Sequence, residues 1–208
     1  FHLYLPFNQP PFPTPPPFAD RNSPGKTYYD VNWRGSSQKE EYTERCIPIF
    51  PSFDPPNFPC DFYLITEENK AYMTSKNAPK EFGDCCILAK PFHPPAKDFT
   101  RKMNFNGMKA LGGQEYFEYS VFVPESGGPF VHAFWAKPTI DKNFKPAFFY
   151  MVGVNNRWLY QEFKNYNTNP FDSASVFRVP DSCKAANVQM CPDFDIELLN
   201  KHIKPHTQ

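Results

Sequence analysis

Six cysteines constrain this 208-residue chain more than any other feature. Cys46, Cys60, the adjacent Cys85 and Cys86, Cys183 and Cys191 fall in two distant regions. None forms a CxxC or CxxxxC metal knuckle, and no histidine stands near them at finger spacing. An even count at wide separation reads as a disulfide framework tying the C-terminal part back to the first half. The expected compartment is therefore extracellular, and a cytosolic enzyme is disfavoured.

Composition narrows the function classes. Formal net charge is zero and the sequence pI is near 7.1, so the chain lacks the electrostatic footprint of a nucleic-acid or anionic-membrane binder. Its longest strongly apolar run, residues 147–154, is far short of a bilayer span. No basic region followed by an apolar stretch opens the chain, and it does not begin with Met, which reads as a mature, processed secreted protein. Aromatic residues make up 18% of the sequence, with 23 Phe. Such an excess fills a core or lines an apolar cavity suited to flat or conjugated ligands.

Of the 25 prolines, 13 precede residue 60. Residues 1–26 are dominated by Pro and Phe, which excludes a helix and removes strand donors. They read as an extended surface arm, or as one docking Phe7, Phe12 and Phe18 onto the body or a partner subunit. No repeat or linker divides the remainder, so residues 27–208 are expected to form a single β domain. Residues 28–33, 40–46, 61–66, 70–75, 85–89, 116–123, 130–137, 147–154 and 157–166 are strand-like. Glu67-Glu68-Asn69 reads as a hairpin turn, as do Asn106-Gly107, between 102–105 and 108–111, and Asn155-Asn156. Only residues 195–204 look helical, with Ile196, Leu199 and Ile203 in phase. The pattern predicts a mainly β fold of antiparallel sheets, sandwich or open barrel. In 116–123, Phe117, Tyr119, Val121 and Val123 share one face and Tyr116, Glu118, Ser120 and Phe122 the other. In 130–137, Phe130, His132 and Phe134 oppose Val131, Ala133 and Trp135. In 147–154 both faces are apolar, so the strand is covered on both sides, by a ligand, a partner subunit or the arm.

Catalytic signatures are absent: there is no GxSxG, HExxH, Walker loop or GxGxxG. Of the histidines, His132 alone lies on an aromatic strand, as a satisfied core residue or as a polar contact to a buried ligand. The acidic groups around Glu40, Glu67 and Asp193 lack EF-hand spacing and read as solvated surface. Calcium held by scattered carboxylates and backbone carbonyls leaves no linear signature, so the metal question stays open. No Asn-x-Ser/Thr sequon occurs.

Four segments bear a likeness to a known family. Tyr29-Asp30-Val31-Asn32-Trp33-Arg34 resembles the early YDxxNxR strand of the ependymin family. Cys60 and Cys85, with 24 residues between them, match the separation of two family cysteines, with Tyr72-Met73 between. Pro91-Phe92-His93-Pro94 resembles the Pro-aromatic-x-Pro that follows. Val176-Phe177-Arg178-Val179-Pro180-Asp181-Ser182-Cys183 is similar to VFxxPxxC. The likeness spans about residues 28–192. It implies bridges from Cys60 to Cys191 and from Cys85 or Cys86 to Cys183, leaving Cys46 to pair with the other member of the adjacent pair. It also implies a lipoprotein-carrier-like fold: a half-open barrel of curved antiparallel sheets around an apolar pocket, with a short C-terminal helix, often dimeric. Relatives are commonly N-glycosylated, and this chain departs from that.

The expected function is a secreted, non-enzymatic carrier of a hydrophobic ligand, a carotenoid or similar long conjugated lipid. Its pocket is expected to be lined by Phe117, Tyr119, Phe134, Trp135, Phe148, Tyr150 and Trp158, with His132, Asn155 or Tyr160 orienting the ligand's ends. The alternative is an extracellular adhesion or matrix protein whose aromatic faces bind protein partners or a second subunit. A hydrolase with a site outside known motifs ranks third.

Overall fold

The computed structural model describes residues 2–4, 24–44, 46, 58–78, 80–96, 98–125, 128–139, 144–152 and 158–192; at 2–4, 81, 122–125, 128–132, 150–152 and 158–160 it describes the backbone alone. Eleven strands are present: β1 (His2–Tyr4), β2 (Gly25–Asp30), β3 (Ser37–Tyr42), β4 (Cys60–Ile65), β5 (Lys70–Thr74), β6 (Cys85–Ala89), β7 (Asn104–Leu111), β8 (Gln114–Glu125), β9 (Gly128–Pro138), β10 (Phe144–Val152) and β11 (Trp158–Glu162). The one α-helix among the described residues is the single turn α1 (Ser173–Val176). The chain is thus mainly β, and every strand pairing is antiparallel. The helix expected over 195–204 lies outside the described residues. The strands belong to two compact units, one holding β2–β6 and α1, the other β1 and β7–β11.

The first unit is a meander in the order β2-β3-β4-β5-β6. The expected hairpin is present between β4 and β5. Thr66–Glu68 form a 3-10 turn, and Asn69 closes it in the left-handed conformation (φ 53°) that Asn tolerates, its N–H donating to the Thr66 carbonyl at 2.9 Å. One face of this sheet presents Tyr63, Ile65, Tyr72 and Ile87, all buried. The C-terminal segment covers it with Phe177, Val179 and Cys183, three residues of the stretch that carries the strongest family likeness. Burying such side chains contributes roughly 1.5–3 kcal/mol each. The early segment supports the same packing: Asp30 accepts a 2.5 Å hydrogen bond from Ser173 at the start of α1, and its other oxygen accepts from the Asn32 N–H at 2.9 Å.

All six cysteines belong to this unit and all are bridged: Cys46–Cys60, Cys85–Cys183 and Cys86–Cys191. The Cys85–Cys183 expectation holds. The Cys60–Cys191 bridge and the pairing of Cys46 with the adjacent pair do not. The reason is register. Cys60 pairs with Tyr42 across β3 and β4, so the chain leaving β3 brings Cys46 beside it, with Cα atoms 5.3 Å apart. Cys85 and Cys86 are consecutive strand residues and face opposite sides of β6. Cys85 lies against the core under the C-terminal segment. Cys86 meets Cys191, which arrives as residues 189–191 run along β6: the Ile87 N–H donates to the Gln189 carbonyl at 2.8 Å, and the Cys191 N–H to the Ile87 carbonyl at 2.9 Å.

The second unit is ordered β1-β11-β10-β9-β8-β7. Among the described residues neither sheet closes on itself. β1 is a departure from a plain surface arm: His2–Tyr4 pair with residues 158–160 of β11, because this stretch precedes the first proline and keeps its N–H donors. Phe7, Phe12 and Phe18 lie outside the described residues. Asn106-Gly107 is not a hairpin turn. It sits inside β7 where the register shifts between Phe105 and Met108, a β-bulge, and Gly107 (φ 89°) supplies the positive φ. The hairpin turns at Gly112-Gly113 instead, two consecutive left-handed residues (φ 57° and 74°) between the paired Leu111 and Gln114. The strands expected on either side of 124–129 and of 155–156 are present, and residues 153–157 lie outside the described set.

Cys85–Cys183 and Cys86–Cys191 each span about a hundred residues alone, 98 and 105. With one in place, the other closes a loop of only about nine residues. Loop-closure entropy then predicts strong non-additivity. Cys86→Ala/Cys191→Ala should cost ~2.5 kcal/mol in denaturant unfolding, whereas adding Cys85→Ala/Cys183→Ala should bring the loss to ~7 kcal/mol.

Candidate functional site

Every aromatic residue singled out from the sequence as a ligand contact lies in the six-stranded unit, but not on one face. Strand alternation and the observed register divide them. Glu118, Trp135 and Phe148 are successive cross-strand partners on β8, β9 and β10. With Tyr116 they occupy one face, where the Tyr116 and Trp135 ring centroids are 5.8 Å apart, Tyr116 and Phe148 5.2 Å, and Trp135 and Phe148 6.0 Å. Trp135 is 1% exposed and Phe148 8%. Backbone register puts Tyr150, Tyr160 and Trp158 in the same alternation, through the pairs Tyr150–Ala133, Tyr150–Tyr160 and Val152–Trp158.

Phe117, Tyr119 and Phe134 alternate with that set and occupy the opposite face. Phe105 joins them, its centroid 5.8 Å from Phe117 and 5.3 Å from Tyr119, and Phe144 lies 5.4 Å from Phe117. Phe134 packs edge-on against Phe99 at 5.1 Å. His132, by register opposite Val121 and Met151, shares this second alternation. Phe105, Phe144 and Met108 are 57%, 52% and 50% exposed, so this side carries an open apolar surface. The structure therefore brings together Trp135 with Phe148, and Phe117 with Tyr119, but separates these pairs by the thickness of the sheet. Asn155 lies outside the described residues.

Three contributors were missed. Tyr116 completes the first ring cluster. Phe105 and Phe144 extend the second. The two-residue period that sets Tyr116 apart from Phe117 was visible in the sequence; the partners of Phe105 were hidden by reading Asn106-Gly107 as a turn.

Glu118 is a buried acid on the first face, 2% exposed. Its Oε1 accepts from Asn106 Nδ2 at 2.9 Å, and the same amide nitrogen bonds Ser120 Oγ at 2.7 Å. The bulge thus lends its Asn side chain to a buried carboxyl. Glu118 Oε2 has no hydrogen-bond partner among the described residues. Beside the rings lies an open cavity of about 330 Å³ whose wall includes Tyr116, Phe148, Tyr166, Lys137, Lys145 and Glu162. Burial, and then the nearby Glu162 carboxylate, raise the Tyr116 phenol above its ordinary range, so it is a donor at neutral pH.

Among the described residues no group of three or more His, Cys, Asp or Glu side chains is placed to hold a metal ion, and no helix is long and apolar enough to cross a membrane. His93 is exposed.

Glu118→Ala strands the Asn106 amide with only Ser120 as partner. It should lower the unfolding free energy by ~1–3 kcal/mol in thermal or denaturant melts, while Glu118→Gln, which keeps an acceptor, should lose less than half of that.

No family model, no curated protein and no solved structure matches the chain.

Proposed function

We propose that this protein is a secreted, non-enzymatic carrier of a hydrophobic ligand, a carotenoid or a similar long conjugated lipid, held on the aromatic rows of the six-stranded sheet. The observation that carries this reading is the contiguous contact of Tyr116, Trp135 and Phe148 across three neighbouring strands, next to an open cavity. The rings meet tilted or edge-to-face, and such a cluster offers an apolar ligand a continuous aromatic wall along the strands. Each 100 Å² of apolar ligand surface removed from water contributes about 2.5 kcal/mol. Three disulfides are compatible with an extracellular protein. Membership of the ependymin family, its half-open barrel and its tendency to dimerise belong to the same proposal, supported by the four matched segments.

A second reading has its own observation. The exposed Phe105, Met108 and Phe144 beside Phe117 and Tyr119 suit a protein contact, as in an adhesion or matrix protein.

Protein purified from its native source should show a visible absorbance band that co-elutes with the polypeptide, and organic extraction should release a lipid identified by mass spectrometry. A colourless protein sinks the carotenoid assignment. A colourless protein yielding no extractable lipid sinks the carrier and favours the adhesive alternative.

A further inference from the structure

The cavity beside Tyr116 and Phe148 has a charge that an apolar carrier does not need. Its wall holds two lysines and one carboxylate, Glu162, which is shared with Lys164 at 3.0 Å, so the lysines outnumber the acid. Lys137 donates to the Gln114 side-chain carbonyl at 2.6 Å, a neutral acceptor that leaves its charge uncompensated. Lys145 has no ion-pair or hydrogen-bond partner among the described residues and is exposed. Glu118, on the same face, is engaged by Asn106 and is not part of the cavity wall. Two ammonium groups and a phenolic donor therefore border a space whose remaining wall includes the rings of Phe148 and Tyr166.

We infer that this cavity takes the anionic end group of an amphiphilic ligand, a carboxylate, sulfate or sulfonate, whose flat or long apolar body lies along the Tyr116 and Phe148 rings. The inference rests on the carrier reading and narrows it from any conjugated lipid to one with an acidic terminus. Its physical basis is complementarity. An anion entering the cavity meets uncompensated positive charge and hydrogen-bond donors, and a neutral apolar end would leave both lysines bare. Since the lysines are exposed, the preference is modest and screened by salt.

The test compares two fluorescent probes of nearly the same shape, 8-anilinonaphthalene-1-sulfonate and the uncharged N-phenyl-1-naphthylamine, titrated into the intact ligand-stripped protein. The sulfonate should bind about tenfold more tightly at low ionic strength, and the advantage should shrink in 1 M salt, where the screening length is about 3 Å. Lys137→Gln/Lys145→Gln should bring the two affinities together without weakening the naphthylamine. Lys26→Gln, in the five-stranded unit, should leave the preference intact. Equal affinities in the unsubstituted protein, or a sulfonate preference that survives both lysine substitutions, overturn the inference while naphthylamine binding leaves the carrier reading standing. If neither probe binds, both fall.

Discussion

The two-residue period of a β-strand is the constraint on which the rest of this molecule depends. Neighbouring side chains on a strand face opposite sides of the sheet. Cys85 and Cys86 obey that rule and so cannot serve one surface. One is bridged to Cys183 within the core under the C-terminal segment, and the other to Cys191 where the chain runs along the edge of β6. An adjacent pair of cysteines becomes a clasp gripping the returning chain at two points eight residues apart. In the six-stranded sheet the same rule sorts the aromatic residues. Phe117 and Tyr119 go one way, Tyr116 and Glu118 the other, and the cross-strand register carries that division onto Phe134 and Trp135.

The segments that carry the family resemblance and the candidate site lie in different units. The segments resembling the ependymin family, from Tyr29-Asp30 to Val176–Cys183, belong to the five-stranded unit, and their contacts give a physical account of them. Asp30 holds Ser173, Phe177 and Val179 bury on the sheet, and Cys183 locks the segment down. These residues specify how the chain is fastened. The ring clusters and the lysine-bordered cavity belong to the six-stranded unit, where no matched segment lies. The segments that carry the family likeness and the residues proposed to hold a ligand are therefore separate here, and the fastening motifs carry no information about that proposal.

Signals in the sequence are legible where the structure they specify is local. The Asn69 turn, β6 and the strands flanking 124–129 needed only turn chemistry and alternation. Asn106-Gly107 misled because a bulge and a two-residue turn both need a residue at positive φ. What distinguishes them is the partner strand, and Gly112-Gly113 offered two such residues in succession. Two of the three bridge pairings lie beyond the sequence for a similar reason. The proximity of Cys46 to Cys60 follows from the β3–β4 register, which is a tertiary fact. The candidate site was legible in composition and alternation, yet a list drawn from both faces could not line one pocket. The uncompensated lysines had no signature, since their positive charge is defined by where Glu162 and Gln114 sit.

The proposal that a ligand lies on the face bordering the cavity, and not on the exposed one, is tested most directly by the ligand content of two paired variants, measured by extraction and mass spectrometry after purification from the same host. Tyr116→Ala/Phe148→Ala opens the face that borders the cavity, and Phe105→Ala/Tyr119→Ala strips the exposed one. Loss of bound ligand in the first pair with retention in the second is expected. Retention in the first pair with loss in the second, or equal loss in both, would contradict it.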